Sequence, residues 1–385
     1  MTLIKHKKVE LTELFYDLVF VYAISQITTL IHHVHHGIVI PYAFFTFVIA
    51  LIIFVNSWMV QTVFTNRFGQ NSLTNILFMF AQMLCLLISS TAVTEEWSTS
   101  FVPFILPMAF ISLLLLLQYV IEYFNTKAEA DRDLIRQYFY ILGIRSLTLF
   151  VSIFLPYQFG LILAVSGVLL TWILPGILTN PKQGHVSEKT RAINFPHLVE
   201  RLSLLVIITF GEMIIGIAPY FSVDNLSVAS FLIFIIVTNL FLIFIIVTNL
   251  FMIYIVEIDH MIEVNQDRVT GNGAIYYHYP IFLGLSLITV SLSFLGNQAA
   301  DNLFSICLLY LGILLLLFGV FAHQHYNKSS HQFTNKLYWV EFGMPILGLL
   351  LSFLTLQSAF ALIVIACLVT LIMMIVMISF NLKRI

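Results

Sequence analysis

Charge is almost absent from twelve long stretches of this chain, and that constrains its fold more than any other feature. The stretches are approximately 11–31, 39–62, 72–92, 103–124, 136–155, 157–178, 197–218, 227–256, 275–296, 303–321, 337–355 and 358–381. A helix needs about 20 apolar residues to cross a bilayer core. Only 9% of the 385 residues are charged and 60% are hydrophobic, whereas soluble domains are about a quarter charged. A water-soluble fold has too little interior to hide that much apolar surface. The short alternating segments of a membrane β-barrel are missing. The predicted fold is therefore an all-α integral membrane protein, a polytopic bundle of about 12 transmembrane helices.

The positions of the cations give an orientation. With the N-terminus inside, the inner segments hold Lys5, Lys7 and Lys8; Arg67; Lys127, Arg132 and Arg136; Lys182, Lys189 and Arg191; Arg268; Lys328 and Lys336; Lys383 and Arg384. The outer loops hold neither Lys nor Arg, as the positive-inside bias requires. The expectation is a multi-pass protein of the bacterial plasma membrane with both termini cytoplasmic. No cleavable signal peptide is expected, because the first span follows a short N-terminus and carries acids. Pro156 alone separates the fifth span from the sixth, which begins at Tyr157, so that hairpin is tight.

A single transmembrane domain covers 1–385. The cytoplasmic loop 179–196 divides it into two candidate halves, 1–180 and 195–385. Six spans per half give both the same orientation, as in parallel-repeat transporters. Arg136-x-Tyr138…Gly143 echoes Lys336-x-Tyr338…Gly343. FLIFIIVTNL occurs twice in tandem, at 231–240 and 241–250. Ten residues lengthen a helix by about 15 Å, so the eighth span is either long and tilted or the product of a tolerated in-frame duplication.

Ionisable side chains inside a span cost roughly 2.5–3.5 kcal/mol at the bilayer centre and are functional candidates by default. They are Glu13 and Asp17 in the first span, Arg145 in the fifth, Glu200, Arg201 and Glu212 in the seventh, and Glu341 in the eleventh. At 1.5 Å per residue, Asp17 lies about 10 Å past Glu10, Arg145 about 13 Å past Arg136, and Glu212 about 16 Å past Arg201. Asp17, Arg145 and Glu212 are thus expected near the midplane, converging inside the bundle. Arg145 is permanently charged and needs a carboxylate. Glu13, Asp17, Ser25 and Thr28 form a polar stripe on the first helix, and His197, Arg201 and Glu212 share a face of the seventh. Asn56 and Gln82 are mid-span amides. These groups could line a polar pathway, or they could staple helices together. The pair Glu200–Arg201 reads as a surface anchor.

His32, His33, His35 and His36 cluster after the first span. Imidazoles four residues apart can bind zinc or copper, and a solvated loop is the plainer reading. Cys85, Cys307 and Cys367 read as small buried residues. Glu95 and Glu96 read as solvated. H-E-x-x-H, G-x-S-x-G and Walker A sequences are missing, which disfavours an enzyme. No cofactor is expected. Nucleic-acid binding is not expected either, because no basic patch exists. The expected partners are the lipid bilayer, an ion or small solute and, in a homo-oligomer, further copies of the chain.

Three stretches resemble the bacterial low temperature requirement A (LtrA) family. Val9-Glu10-Leu11-Thr12-Glu13-Leu14-Phe15-Tyr16-Asp17-Leu18-Val19-Phe20-Val21 is similar to its E-L-F-x-D-L-x-F-V opening. His197-Leu198-Val199-Glu200-Arg201 with Phe210-Gly211-Glu212 is similar to its H-x-x-E-R…G-E stretch. Tyr277-His278-Tyr279-Pro280 and Gly284 are similar to its H-x-P…G stretch. The resemblance implies a multi-span bacterial membrane protein and picks out Glu13, Asp17, His197, Glu200, Arg201, Glu212 and His278.

The expected function is transport, coupled to protons or another cation through Asp17 or Glu212, with Arg145 as counter-charge. An ion channel is a second reading, since Phe15-Tyr16-Asp17 is loosely similar to the F-S-D signature of lysosomal and bacterial potassium channels. A third is a non-transport role, as a lipid-modifying enzyme or a scaffold.

Overall fold

The computed structural model describes residues 7–94, 96–179, 187, 190–217, 231–266, 271–297 and 300–384, with the backbone alone at 217, 231–240, 296 and 297. Lys5, Glu95, Lys182, Lys189 and Arg268 lie outside the described residues, as does most of the loop 179–196.

Twelve α helices carry the described chain: α1 Leu11–Thr28, α2 Pro41–Arg67, α3 Leu73–Ala92, α4 Trp97–Asn125, α5 Glu129–Ser152, α6 Tyr157–Leu178, α7 Phe195–Ile217, α8 Phe231–Ile255, α9 Asn272–Asn297, α10 Asn302–Ala322, α11 Asn335–Ser352 and α12 Ala359–Leu382. Each of the twelve apolar stretches holds one of these helices. Among the described residues nine helices are long and apolar enough to cross a membrane. The other three, α5, α7 and α11, hold Arg145, Glu200, Arg201, Glu212 and Glu341. As expected, the turn between α5 and α6 is tight.

On α1 burial runs opposite to that of a soluble helix: Leu11, Phe15, Leu18 and Tyr22 are exposed, while Glu13 and Asp17 are buried. Apolar side chains facing outward, with the few charged ones turned inward, are the arrangement that lipid selects. The chain is accordingly a multi-pass membrane protein.

Two compact units can be distinguished. The first comprises Met1–Leu30, Pro41–Arg201 and Asn265–Asn272; the second comprises Ile31–Ile40, Leu202–Val264 and Gly273–Ile385. In the first unit α3 packs on α1 and α4, and α5 on α4 and α6. A core of Val60, Phe64, Leu115, Tyr119, Leu134 and Tyr138 joins α2, α4 and α5. Tyr119 and Tyr138 stack with ring centroids 4.7 Å apart. Local sequence sets the helix starts. Ser72 caps α3 by accepting from Asn75 N at 3.3 Å, and Glu10 with Glu13 forms a capping box on α1.

In the second unit α12 packs on α8 and α11, and α10 on α11. Helices α9 and α10 approach through facing glycines: a Cβ on Gly284 would fall 2.6 Å from the Gly312 carbonyl oxygen. Such backbone contact is open only to residues without a side chain. Helix α8 runs through both copies of the repeat. The second copy is built into the packing, since Ile243, Ile246 and Leu250 are buried and Asn249 donates to Thr370 Oγ1 of α12 at 3.1 Å. The helix ends in a π-helical turn, Val256–Met261.

His35 and His36 belong to a small hairpin, Val34–His35 paired with Ile38–Val39. His36 and Gly37 both have positive φ, which a two-residue I′ turn requires. His32, His33, His35 and His36 are all exposed, and no group of three or more potential metal ligands forms among the described residues. Of the cysteines only Cys367 is buried; Cys85 is half-buried and Cys307 is exposed, correcting the expectation that all three are interior. A thiol is apolar enough to face lipid as readily as protein.

Candidate functional site

Two acids one turn apart on α1 face two basic residues one turn apart on α7, all within the first unit. At the first rung, His197 Nε2 lies 2.9 Å from Glu13 Oε2. At the second, Arg201 donates to both carboxylate oxygens of Asp17, from Nε to Oδ2 at 3.4 Å and from a terminal nitrogen to Oδ1. The i, i+4 spacing on each helix makes both rungs possible at once. Asp17, His197 and Arg201 are fully buried, and Glu13 is 4% exposed.

Helix α2 completes the ladder. Trp58 Nε1 donates to Asp17 Oδ1 at 2.6 Å, and its ring lies 5.2 Å beneath the Arg201 guanidinium. Thr65 Oγ1 accepts from Arg201 at 3.0 Å. Asn66 Nδ2 lies 3.0 Å from His197 Nδ1. The Asn66 amide is oriented by backbone, for its Oδ1 accepts from Asn194 N and its Nδ2 donates to Asn194 O, both at 2.9 Å. His197 Nδ1 is therefore an acceptor, and the proton sits on Nε2, directed at Glu13. Trp58, Thr65 and Asn66 are spaced to share one face of α2.

The ladder has an outer end. Glu13 lines a small pocket together with Lys7, Thr65 and Asn71. Lys7 Nζ donates to the carbonyls of Thr65 and Gly69, the latter at 2.8 Å, and so satisfies the C-terminal end of α2. Burial holds the Lys7 ammonium below its ordinary range, and Glu13 pulls it back up.

The expected pairing of Asp17 with Arg145 is corrected. The ion-pair partner of Asp17 is Arg201. Arg145, fully buried, donates to Ser57 Oγ at 2.5 Å, one residue before the Trp58 that holds Asp17. Glu212 is half-buried and belongs to the second unit. Nor is Arg201 a surface anchor. The first turn of α7 is already covered, by Asn66 and by the segment leading into the helix at Asn194, so counting depth from Arg201 starts too far inside. Glu200 is half-buried.

The remaining candidates are dispersed. Asn56 Oδ1 accepts from Thr171 of α6 at 2.8 Å. Gln82 lies among amides of α2 and α4. His278 Nδ1 lies 2.7 Å from Ala274 O and its Nε2 3.0 Å from the Tyr254 hydroxyl. Glu341 is fully buried, and among the described residues neither of its carboxylate oxygens has a hydrogen-bond partner. Sequence reasoning missed Trp58, Gln61, Thr65, Asn66, Gln118 and the buried Glu257. The concentration of polar residues between Asn56 and Asn66 was the available signal for the first four.

The sequence model of one protein family, described as Bacterial low temperature requirement A protein (LtrA), matches residues 8–379, nearly the whole chain. No curated protein matches it.

Proposed function

The chain belongs to the bacterial low temperature requirement A family, and we propose that it is a membrane transporter coupled to protons or another cation through the Glu13–His197 and Asp17–Arg201 ladder. One observation carries this reading. Two acid–base pairs are buried one turn apart in an apolar bundle, and the outer carboxylate borders a pocket. Ionisable groups at such positions are expensive to insert. The Glu13–His197 contact is a single adjustable hydrogen bond beside the pocket, and it is the rung at which we place proton or cation exchange. The Asp17–Arg201 contact is doubly hydrogen-bonded and serves as the fixed counterpart. Glu212 is the second carboxylate offered by α7.

The same proposal takes the twelve helices as twelve spans in the bacterial cell membrane with both termini cytoplasmic, in line with the Lys and Arg distribution. It treats 1–180 and 195–385 as related halves and leaves room for homo-oligomers.

A second reading is a non-transport role in which the ladder only fastens α1 to α7. It is favoured by the full pairing of Asp17 with Arg201, Trp58 and their neighbours. Flux in proteoliposomes separates the two. Internal pH and potential are followed under imposed proton, sodium and potassium gradients for wild type and Glu13→Gln. Transport requires ion movement by wild type that Glu13→Gln abolishes while remaining folded. No movement by either protein favours the structural role.

A further inference from the structure

Beside the ladder, the first unit contains a chain of neutral amides that ends in a cleft. Tyr16, the residue before Asp17, donates from its hydroxyl to Gln82 Oε1 at 3.2 Å. Gln82 Nε2 lies 3.0 Å from Gln61 Oε1 and 3.0 Å from Gln118 Oε1, donating to both. Gln118 Nε2 donates to Asn75 Oδ1 at 3.4 Å. The three glutamines come from α2, α3 and α4, and each is at most 2% exposed.

Asn75 and Gln118 line a cleft of about 270 Å³, open to the outside, between the start of α3 and the end of α4. Its walls include Phe64, Phe78 and Ile121. Burying an amide is unfavourable unless it is hydrogen-bonded. Three buried glutamines are a costly way to join helices, and among the described residues the fully buried donor Gln61 Nε2, which does not line the cleft, has no partner.

The chemistry of the lining selects the ligand. Among the described residues no Lys or Arg lines the cleft, which disfavours an anion. The acid that lines it among them, Glu122, accepts a hydrogen bond from Thr126 at 3.0 Å. Amides offer donors and acceptors in equal measure, and they do not exchange protons as carboxylates and imidazoles do. Seven of its ten lining residues are polar, which suits a solute bearing hydroxyl or amide groups better than an apolar one. We propose that this cleft binds a neutral polar solute bearing hydroxyl or amide groups, recognised by Gln118 and Asn75. As the transported class this rests on the transport reading above; as a binding site it is tested without transport.

The test is equilibrium dialysis of the purified full-length protein in detergent against radiolabelled sorbitol, urea, choline and inorganic phosphate. Saturable binding of sorbitol or urea is expected, weakened roughly tenfold in Gln118→Leu, the equivalent of about 1.4 kcal/mol for one lost recognition contact. Choline and phosphate should not bind. Thr74→Leu, at the exposed edge of the cleft, should also weaken binding and leaves the buried amides intact should Gln118→Leu fail to fold. Absence of saturable binding of both neutral probes overturns the proposal, as does binding unchanged in both variants or a preference for choline or phosphate. Solute binding without ion flux would sink the coupling ladder and leave the cleft standing; ion flux without solute binding would do the reverse.

Discussion

Glu13 and His197 are 184 residues apart in the chain and meet at 2.9 Å in a buried site. Their relationship is directional. Asn66 donates to Nδ1, so the imidazole presents Nε2–H to the carboxylate. Glu13 also accepts from Glu10 N at 3.4 Å and so helps begin α1. Glu13→Gln keeps an oxygen for both hydrogen bonds and should fold with a melting temperature near that of wild type. Glu13→Ala loses both and should be destabilised by about 1 kcal/mol or more. Thermal unfolding of the two purified variants distinguishes these outcomes.

Arg201 should not tolerate lysine. Its guanidinium bonds both oxygens of Asp17, donates to Thr65 and lies over Trp58, whereas an ammonium is a compact point charge. Removing one member of a buried pair leaves an uncompensated charge and costs about 3–5 kcal/mol. Arg201→Met alone and Asp17→Asn alone should each be severely destabilised, and the double variant less so than the sum. Strict additivity in a double-mutant cycle would contradict the pairing.

The α9–α10 crossing depends on backbone proximity. Gly284→Val places its side chain against the Gly312 carbonyl, and overpacking of this kind costs about 1–3 kcal/mol. A lowered melting temperature in detergent is expected, whereas Gly343→Val, where a Cβ meets nothing within 4 Å, should change little.

Glu341 makes the opposite case. A fully buried carboxyl group without a hydrogen bond is unfavourable, so Glu341→Leu should raise the melting temperature. A loss of stability would show that the carboxyl is engaged by a partner the second unit brings to it.

Much of the helical layout was legible in the sequence. The apolar runs have about the length a bilayer core demands, and each one holds a helix. The ladder was legible in halves. The i, i+4 spacing of Glu13 with Asp17, and of His197 with Arg201, marks one face on each helix. What one sequence does not carry is the register between helices distant in the chain, and so Arg145 was expected where Arg201 stands. Depth counted from an arginine assumes that the arginine is at the interface, which fails when a loop folds over the helix start. Glu257 escaped notice because it sits on a π-helical turn just past an apolar run, and Gln61 and Gln118, the partners of Gln82, because glutamines carry no charge to mark them.

The most direct test of the coupling ladder is infrared difference spectroscopy of the protein in membranes between acidic and neutral pH. Reversible conversion of a buried carboxylate to a carboxylic acid is expected in wild type, missing from Glu13→Gln and retained in Glu10→Gln. A spectrum without that carboxyl band, or one unchanged in Glu13→Gln, would contradict proton loading on the ladder and leave Glu13 and His197 as a structural clasp between α1 and α7.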